Sequence, residues 1–219
     1  MASRIFADRS TAGAALGRKL LKQHFQPPVL VLGLPRGGVP VAYEVARLLK
    51  APLDVMLVRK VGMPGQPEFA MGAVASGNIT VREPQLAAQI PDFERLFEQL
   101  AQQQRHELER REQLFRGGLP PLELHGKTVI LVDDGLATGS TMLAAVRAAR
   151  QAEAASIVVA APIASAQAAE LVAAEAERVI ILEVPREMMA IGSWYEDFDQ
   201  VGDTVVCELL ARNRQNRRL

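Results

Sequence analysis

Two adjacent carboxylates, Asp133 and Asp134, stand just ahead of a run of small polar residues, Thr138-Gly139-Ser140-Thr141. Small residues with free backbone N–H groups at the start of a helix form an anion site, and the hydroxyls of Thr138, Ser140 and Thr141 add donors. Ionised carboxylates only accept hydrogen bonds, so beside an anion they must face sugar hydroxyls or a metal ion. The stretch therefore suits a phosphorylated sugar, with the phosphate on the loop and the hydroxyls on the acids. It carries neither the Gly-Lys-Ser/Thr of the Walker type nor the Gly-x-Gly-x-x-Gly dinucleotide fingerprint. A second group lies about a hundred residues earlier, where Arg36 sits between Pro35 and Gly37-Gly38. Its guanidinium offers a fork of donors, and the two glycines let backbone approach an anion closely. Basic residues also occur together at Arg59-Lys60.

The surrounding pattern says how these groups are held. Val129 to Val132 is an apolar run without polar alternation, as expected of a strand buried on both faces. From Met142 the spacing turns helical, with Leu143, Val146 and Ala149 close to one face. Pro28 to Leu32 reads as a strand leading through the Arg36 turn into a helix to about Leu49. Leu53 to Val58 reads as a strand ending in Arg59-Lys60. The following V-G-M-P-G-Q-P-E-F-A is mobile by composition. Met71 to Ala75 and Asn78 to Val81 suggest a hairpin around Ser76-Gly77. Asp8 or Ser10 could cap an early helix with Leu16, Leu20 and Leu21 inward, and Arg4, Phe6, Asp8 and Arg9 ahead of it read as packing, with a place near the active site as the alternative. Pro91 to Arg116 is a long helix closed by Gly117-Gly118, apolar at Phe93, Leu96, Phe97 and Leu100, then polar and expected to protrude into solvent. Ser156 to Ala160 and Arg178 to Glu183 are strands separated by an alanine-rich helix, Ser165 to Ala176. Strand–helix alternation throughout predicts an α/β fold, a doubly wound and mostly parallel sheet with helices on both faces. Arg36, Lys60 and Asp133 each follow a predicted strand, so all three belong at the carboxyl edge where such sheets bind ligands.

The run V-I-L-V-D-D-G-L-A-T-G-S-T resembles the ribose-phosphate signature of the type I phosphoribosyltransferases, and P-R-G-G at Pro35 to Gly38 resembles that family's pyrophosphate loop. The resemblance covers the core, about Pro28 to Glu183. It implies that Asp133 and Asp134 hold the ribose hydroxyls of phosphoribosyl pyrophosphate and face ligand or solvent. It implies that Ala137, Thr138, Gly139, Ser140 and Thr141 form the 5′-phosphate loop. Arg36 and Gly37 would hold the pyrophosphate on a loop that in the family carries a cis peptide. Arg59 or Lys60 would contact phosphates, beneath a mobile hood loop. The catalytic set it implies is Arg36, Lys60, Asp133 and Asp134, with Mg²⁺ bound through the substrate and Asp133 and Asp134 as its candidate protein ligands. Trp194 is the candidate for stacking a nucleobase, with anchoring of the last helix as the alternative. The implied reaction transfers the phosphoribosyl group to a nitrogenous base and releases pyrophosphate. A regulatory protein that binds phosphoribosyl pyrophosphate with little catalysis is the alternative. Ala137, where hypoxanthine and guanine enzymes carry an acid, resembles the adenine or synthetase pattern.

Whole-chain properties bound these readings. The chain has 219 residues, 49% of them hydrophobic, enough for one large α/β domain. That domain is expected to span 1–219, with a helical insertion at about 82–118 and a C-terminal hood at about 185–212, whose final amphipathic helix Asp203 could cap. Lys plus Arg and Asp plus Glu number 25 each, which gives no electrostatic argument for nucleic acid. No apolar run approaches the ~20 residues that span a bilayer. The first residues lack the apolar core of a signal peptide, so a cytoplasmic protein is expected. The one cysteine, Cys207, allows no internal disulfide and reads as a buried thiol. His106 and His125 have no partner at metal spacing and read as surface residues. The long helix suggests a homodimer contact, and Arg110, Arg111 and Arg116 on it could reach an anion.

Overall fold

The computed structural model describes residues 6–63 and 65–217, without the side chains of 66–69. Along the chain run α1 (Arg9–Leu20), β1 (Val29–Gly33), α2 (Gly38–Leu49), β2 (Leu53–Val55), β3 (Val58–Met63), β4 (Gln66–Ala75), β5 (Ile79–Arg82), the single turn α3 (Pro84–Ala87), α4 (Phe93–Arg116), β6 (Thr128–Val132), α5 (Ser140–Gln151), β7 (Ser156–Ile163), α6 (Ala166–Ala173), β8 (Arg178–Glu183), a 3-10 turn (Ile191–Trp194) and α7 (Asp203–Asn216). Five strands form a wholly parallel sheet in the order β2-β1-β6-β7-β8, as the strand–helix alternation predicts. From β1 the chain first goes outward to β2, then crosses back to β6 on the other side of β1. Successive connections thus leave in opposite directions at the β1/β6 pair, and this switch point opens a crevice at the strands' carboxyl ends. Gly33 pairs with Val132 there, which sets the Arg36 turn and the acid loop side by side.

Both faces of this sheet are covered, which explains the unalternated apolar strands. Along β6, Ile130 and Val132 pack with α2, α4 and α7, while Val129 and Leu131 pack with α5 and α6. Each such fully buried aliphatic side chain contributes about 1.5–3 kcal/mol. Asp8 caps α1 by accepting from the Thr11 N–H, and Leu16 and Leu20 are buried. Leu21, expected inside, is about half exposed, because the helix ends at Leu20 and the chain turns away. Arg4 lies outside the described residues.

The largest departures from the sequence reading lie between β2 and β6. The strand expected over Leu53–Val58 stops at Val55, and Arg59 and Lys60 stand inside β3 of a separate antiparallel sheet, β3-β4-β5. Most of the segment read as a mobile loop is the β3–β4 hairpin itself, with Pro64 outside the described residues. Its Gly and Pro residues suggest a loop, but Val61, Met71, Ala73 and Val74 are buried, and that burial holds the hairpin. The expected hairpin at Ser76-Gly77 is present as β4 and β5. The segment outside the central sheet thus begins at Val58, before the helical insertion expected at about 82–118. Nor does α4 protrude: Phe93, Phe97, Ala101, Leu108 and Phe115 form a buried stripe along its whole length. The stripe thins to one apolar residue per two turns after Ala101, which is why the sequence looks solvated there. Arg82 lies over the Phe97 ring and pairs with Glu94 and Glu98, covering the stripe with charge.

Arg116 is buried against Asp54 at 3.0 Å and donates to the Pro120 carbonyl, so these bonds engage its guanidinium within the fold. His106 and His125 are exposed beside Glu109 and Glu153. Cys207 is only half-buried, its thiol 3.5 Å from the Leu114 carbonyl. Gly202, not Asp203, occupies the cap position of α7; Asp203 lies in the first turn, where its charge favours the helix dipole. Among the described residues no helix is long and apolar enough to cross a membrane.

Candidate functional site

The acid loop leaves β6 and ends at Gly139, whose φ of 75° fits a left-handed position that glycine takes without strain. Gly139 supplies no side-chain cap to α5, and the Ser140 N–H reaches Thr138 Oγ1 only at 3.5 Å, so the first-turn N–H groups stay available to a ligand. Thr138 Oγ1 and Ser140 Oγ lie 3.0 Å apart, and Thr138 and Thr141 are exposed. Lys60 comes from the small sheet and donates its Nζ to Ser140 Oγ at 3.2 Å. A cation, two hydroxyls and a helix N-terminus therefore converge on one spot. The Ala137 carbonyl accepts from the Ser165 hydroxyl at 2.7 Å, which ties the loop to the start of α6.

The two acids do not have the same surroundings. Asp134 is buried, and its Oδ2 accepts from Arg9 Nε at 2.7 Å; the two side chains are only 12% and 11% exposed. Arg9 also donates to the Asp199 carbonyl and stacks 3.8 Å from the Phe198 ring centroid. The Tyr195 hydroxyl donates to the Asp134 carbonyl at 2.6 Å. Burial, then the negative charges nearby, pushes the Tyr195 hydroxyl up, so it stays a neutral donor. The sequence reading has both acids facing ligand or solvent. Asp134 instead joins α1 and the C-terminal segment to the acid loop, because Arg9 fills its coordination from within. Asp133 accepts the Asp134 N–H at 2.9 Å. Burial, and after it the neighbouring charge of Asp134, pushes the Asp133 carboxyl well above the usual carboxylate range.

The Arg36 turn packs directly on this pair. The Pro35–Arg36 peptide is cis, as in the loop it resembles. A Cβ at Gly37 would collide with the Asp134 carboxylate, and one at Gly38 would lie 2.6 Å from the Val132 carbonyl. The glycines are thus required first by the contact between the two loops. The Gly38 N–H donates to the Leu34 carbonyl and is engaged within the turn. The Arg36 guanidinium is about one-third exposed and sits 3.7 Å from Asp203 in the first turn of α7. An exposed pair at that length holds weakly, so the side chain is free to turn toward an anion. Arg59, on β3, donates its Nε to Gln104 of α4 at 3.1 Å.

Trp194 is half-buried against an apolar cluster that includes Phe6, Ile163 and Tyr195, and its carbonyl accepts the Phe6 N–H. It anchors the C-terminal segment to the start of the chain, while Tyr195 bonds to the acid loop and Ile191 packs against its Gly135. The sequence reading does not single out Arg9, Tyr195 or Asp203 as site residues. Arg9 follows a helix cap and looks like packing, and its partner is 125 residues away. Among the described residues no group of three or more His, Cys, Asp or Glu side chains is placed to hold a metal ion.

Known proteins resemble this chain in sequence and fold. A family model described as "Phosphoribosyl transferase domain" matches residues 8–192. Proteins from two strains of Mycobacterium tuberculosis, whose names assign them provisionally to the phosphoribosyl transferases, are 40% identical over 209 residues. The matched region is 95% of this chain and 47% of each relative, so the chain spans about half the length of these curated relatives. A crystal structure of a Thermus thermophilus protein is 44% identical with a TM-score of 0.87, over 95% of this chain and 98% of that one.

Proposed function

The chain belongs to the phosphoribosyl transferase domain family, and from that premise we propose that it transfers the phosphoribosyl group of phosphoribosyl pyrophosphate to a nitrogenous base, releasing pyrophosphate. The observation that carries this reading is the convergence of Lys60, the Thr138–Ser140 hydroxyl pair and the uncapped start of α5 beside Asp133. The 5′-phosphate occupies that spot and the ribose hydroxyls face Asp133. Arg36, Arg59 and Lys60 surround the diphosphate. As the C1–oxygen bond breaks, charge grows on the departing pyrophosphate, and fixed cations stabilise it. Asp134, held by Arg9, positions the loop instead of binding the sugar.

Mg²⁺ fits the residues present only as a shared ion. The raised Asp133 carboxyl would be relieved by a nearby cation, yet Asp134 is taken by Arg9 and, among the described residues, no third carboxylate joins them. Magnesium commonly binds through one or two carboxylates plus substrate oxygens, so Asp133 would hold it together with the substrate. Bound there, it would neutralise charge on the leaving group.

Saturating phosphoribosyl pyrophosphate with Mg²⁺, at about a hundredfold over Kd, is expected to add about 2.7 kcal/mol, a melting-temperature rise of roughly 5–10 °C. Pyrophosphate release across a panel of nucleobases is the direct assay. A flat melting curve would refute the site. A clear thermal shift with no release from any base would replace the transferase by a regulatory binding protein. Arg36→Ala is expected to lower turnover more than it weakens binding, since its contact strengthens in the transition state. Arg36→Lys restores only part, lacking the planar fork. Unchanged turnover would remove Arg36 from the mechanism.

A further inference from the structure

Between the Arg36 turn and the phosphate loop lies a small cavity of about 130 Å³. Its lining is apolar, with Pro35 from the Arg36 turn and Leu108 from α4, except for Arg59, Arg111 and Thr141. We infer that this cavity takes one phosphate group of a diphosphate, and that Arg111 of α4 is a further binding residue for it. The inference rests on the phosphoribosyl-transfer reading and extends it to a helix that the sequence leaves in solvent.

Three observations carry it. The first is charge. Arg59, Arg111 and Thr141 are the polar residues of a mostly apolar lining, and no Asp or Glu is among its described lining residues, Glu107 pairing with Arg111 from outside it. A cavity with that lining selects an anion. The second is orientation. Arg111 donates its Nε to Glu107 at 2.8 Å, and Arg59 donates its Nε to Gln104 at 3.1 Å. Each bond fixes a guanidinium at its inner nitrogen and leaves the terminal nitrogens for a ligand. Gln104, Glu107, Leu108 and Arg111 follow one another at helical spacing, so one face of α4 supplies both anchors, part of the apolar lining and a cation. Hydrogen bonds from Arg110 and then Arg111 hold the Glu107 carboxyl down to about 2, so the anchor stays ionised at any working pH. The third is size. The cavity is well below the roughly 300 Å³ at which small-molecule pockets begin, which excludes a nucleoside and admits a single tetrahedral oxyanion. Its place beside Pro35 and Thr141 is where the leaving half of the substrate emerges if the 5′-phosphate sits at Thr138–Ser140.

The test is calorimetric titration with two probes, magnesium pyrophosphate and ribose 5-phosphate, into the parent, Arg111→Ala and Arg111→Lys. Arg111→Ala is expected to weaken pyrophosphate binding about tenfold or more, as for a hydrogen bond to a charged group. Ribose 5-phosphate should bind the variant within about twofold of the parent, since a tenfold change is already about 1.4 kcal/mol. Arg111→Lys should recover part of the loss by restoring the charge alone. Equal pyrophosphate affinity in Arg111→Ala and the parent would overturn the inference. So would parallel loss of both probes, which would mean that Arg111 only braces α4. A parent that binds ribose 5-phosphate but not pyrophosphate refutes the cavity and leaves the transferase reading standing. A parent that binds neither refutes both.

Discussion

Asp134→Asn is expected to destabilise the protein by about 3–5 kcal/mol, a fall in melting temperature of roughly 6–20 °C. The carboxylate is one half of a nearly buried ion pair, 2.7 Å from Arg9. Removing one charge leaves the other in a poorly solvated place, and that penalty exceeds the value of the contact itself. The loss spreads beyond the pair, because Arg9 also holds the Asp199 carbonyl and the Phe198 ring. Arg9→Met should behave similarly, and the double variant should lose less than the sum of the two. Thermal melts of the three variants decide it. An Asp134→Asn melt that overlays the parent would show that the pair carries no weight, and would return Asp134 to the sugar.

Asp133→Asn is expected to do the reverse: weaken binding of phosphoribosyl pyrophosphate by roughly 1.5–3 kcal/mol, about 10- to 150-fold, while making the free protein more stable at neutral pH. The sign follows from the direction of its pKa. The folded-state value lies above the ordinary value of 3.8, through burial first and the Asp134 charge second. Well below 3.8 both folded and unfolded chains hold the proton and there is no penalty. Above it the unfolded chain releases its proton while the folded chain still holds it, so stability falls until pH passes the raised folded value. Asn carries no proton to lose, so the variant should lack that decline. Melts at about pH 4 and about pH 8, beside a ligand titration, read both effects. A variant that binds as the parent does would remove Asp133 from the sugar site. A variant whose stability falls with pH as steeply as the parent's would show that the Asp133 carboxyl is not raised in the folded protein.

Much of this protein could be read along the chain. The parallel sheet and the chemistry of its loops both leave local signals. An unalternated apolar strand, two acids and a small-residue helix start lie within Val129 to Met142, so one window of sequence contains a strand, its loop and its helix. Arg36 with Gly37-Gly38 is equally local. Long-range pairing leaves no such mark. Lys60 reaches Ser140 only because β3 belongs to a second sheet packed over α5, and local pattern cannot say which sheet a short apolar run will join. The buried stripe of α4 is too sparse to be seen without the sheet it covers, so the sequence offers Arg111 only as one of three arginines on that helix that could reach an anion. The unequal roles of Asp133 and Asp134 lie furthest from the sequence. The two residues are chemically identical neighbours, and only the approach of Arg9 and Tyr195, from opposite ends of the chain, makes one a strut and leaves the other outside that ion pair. Types and spacing determined which groups could hold a phosphorylated sugar. The tertiary structure decided which of them remain available, because burial and a competing charge are properties of surroundings and not of residue type.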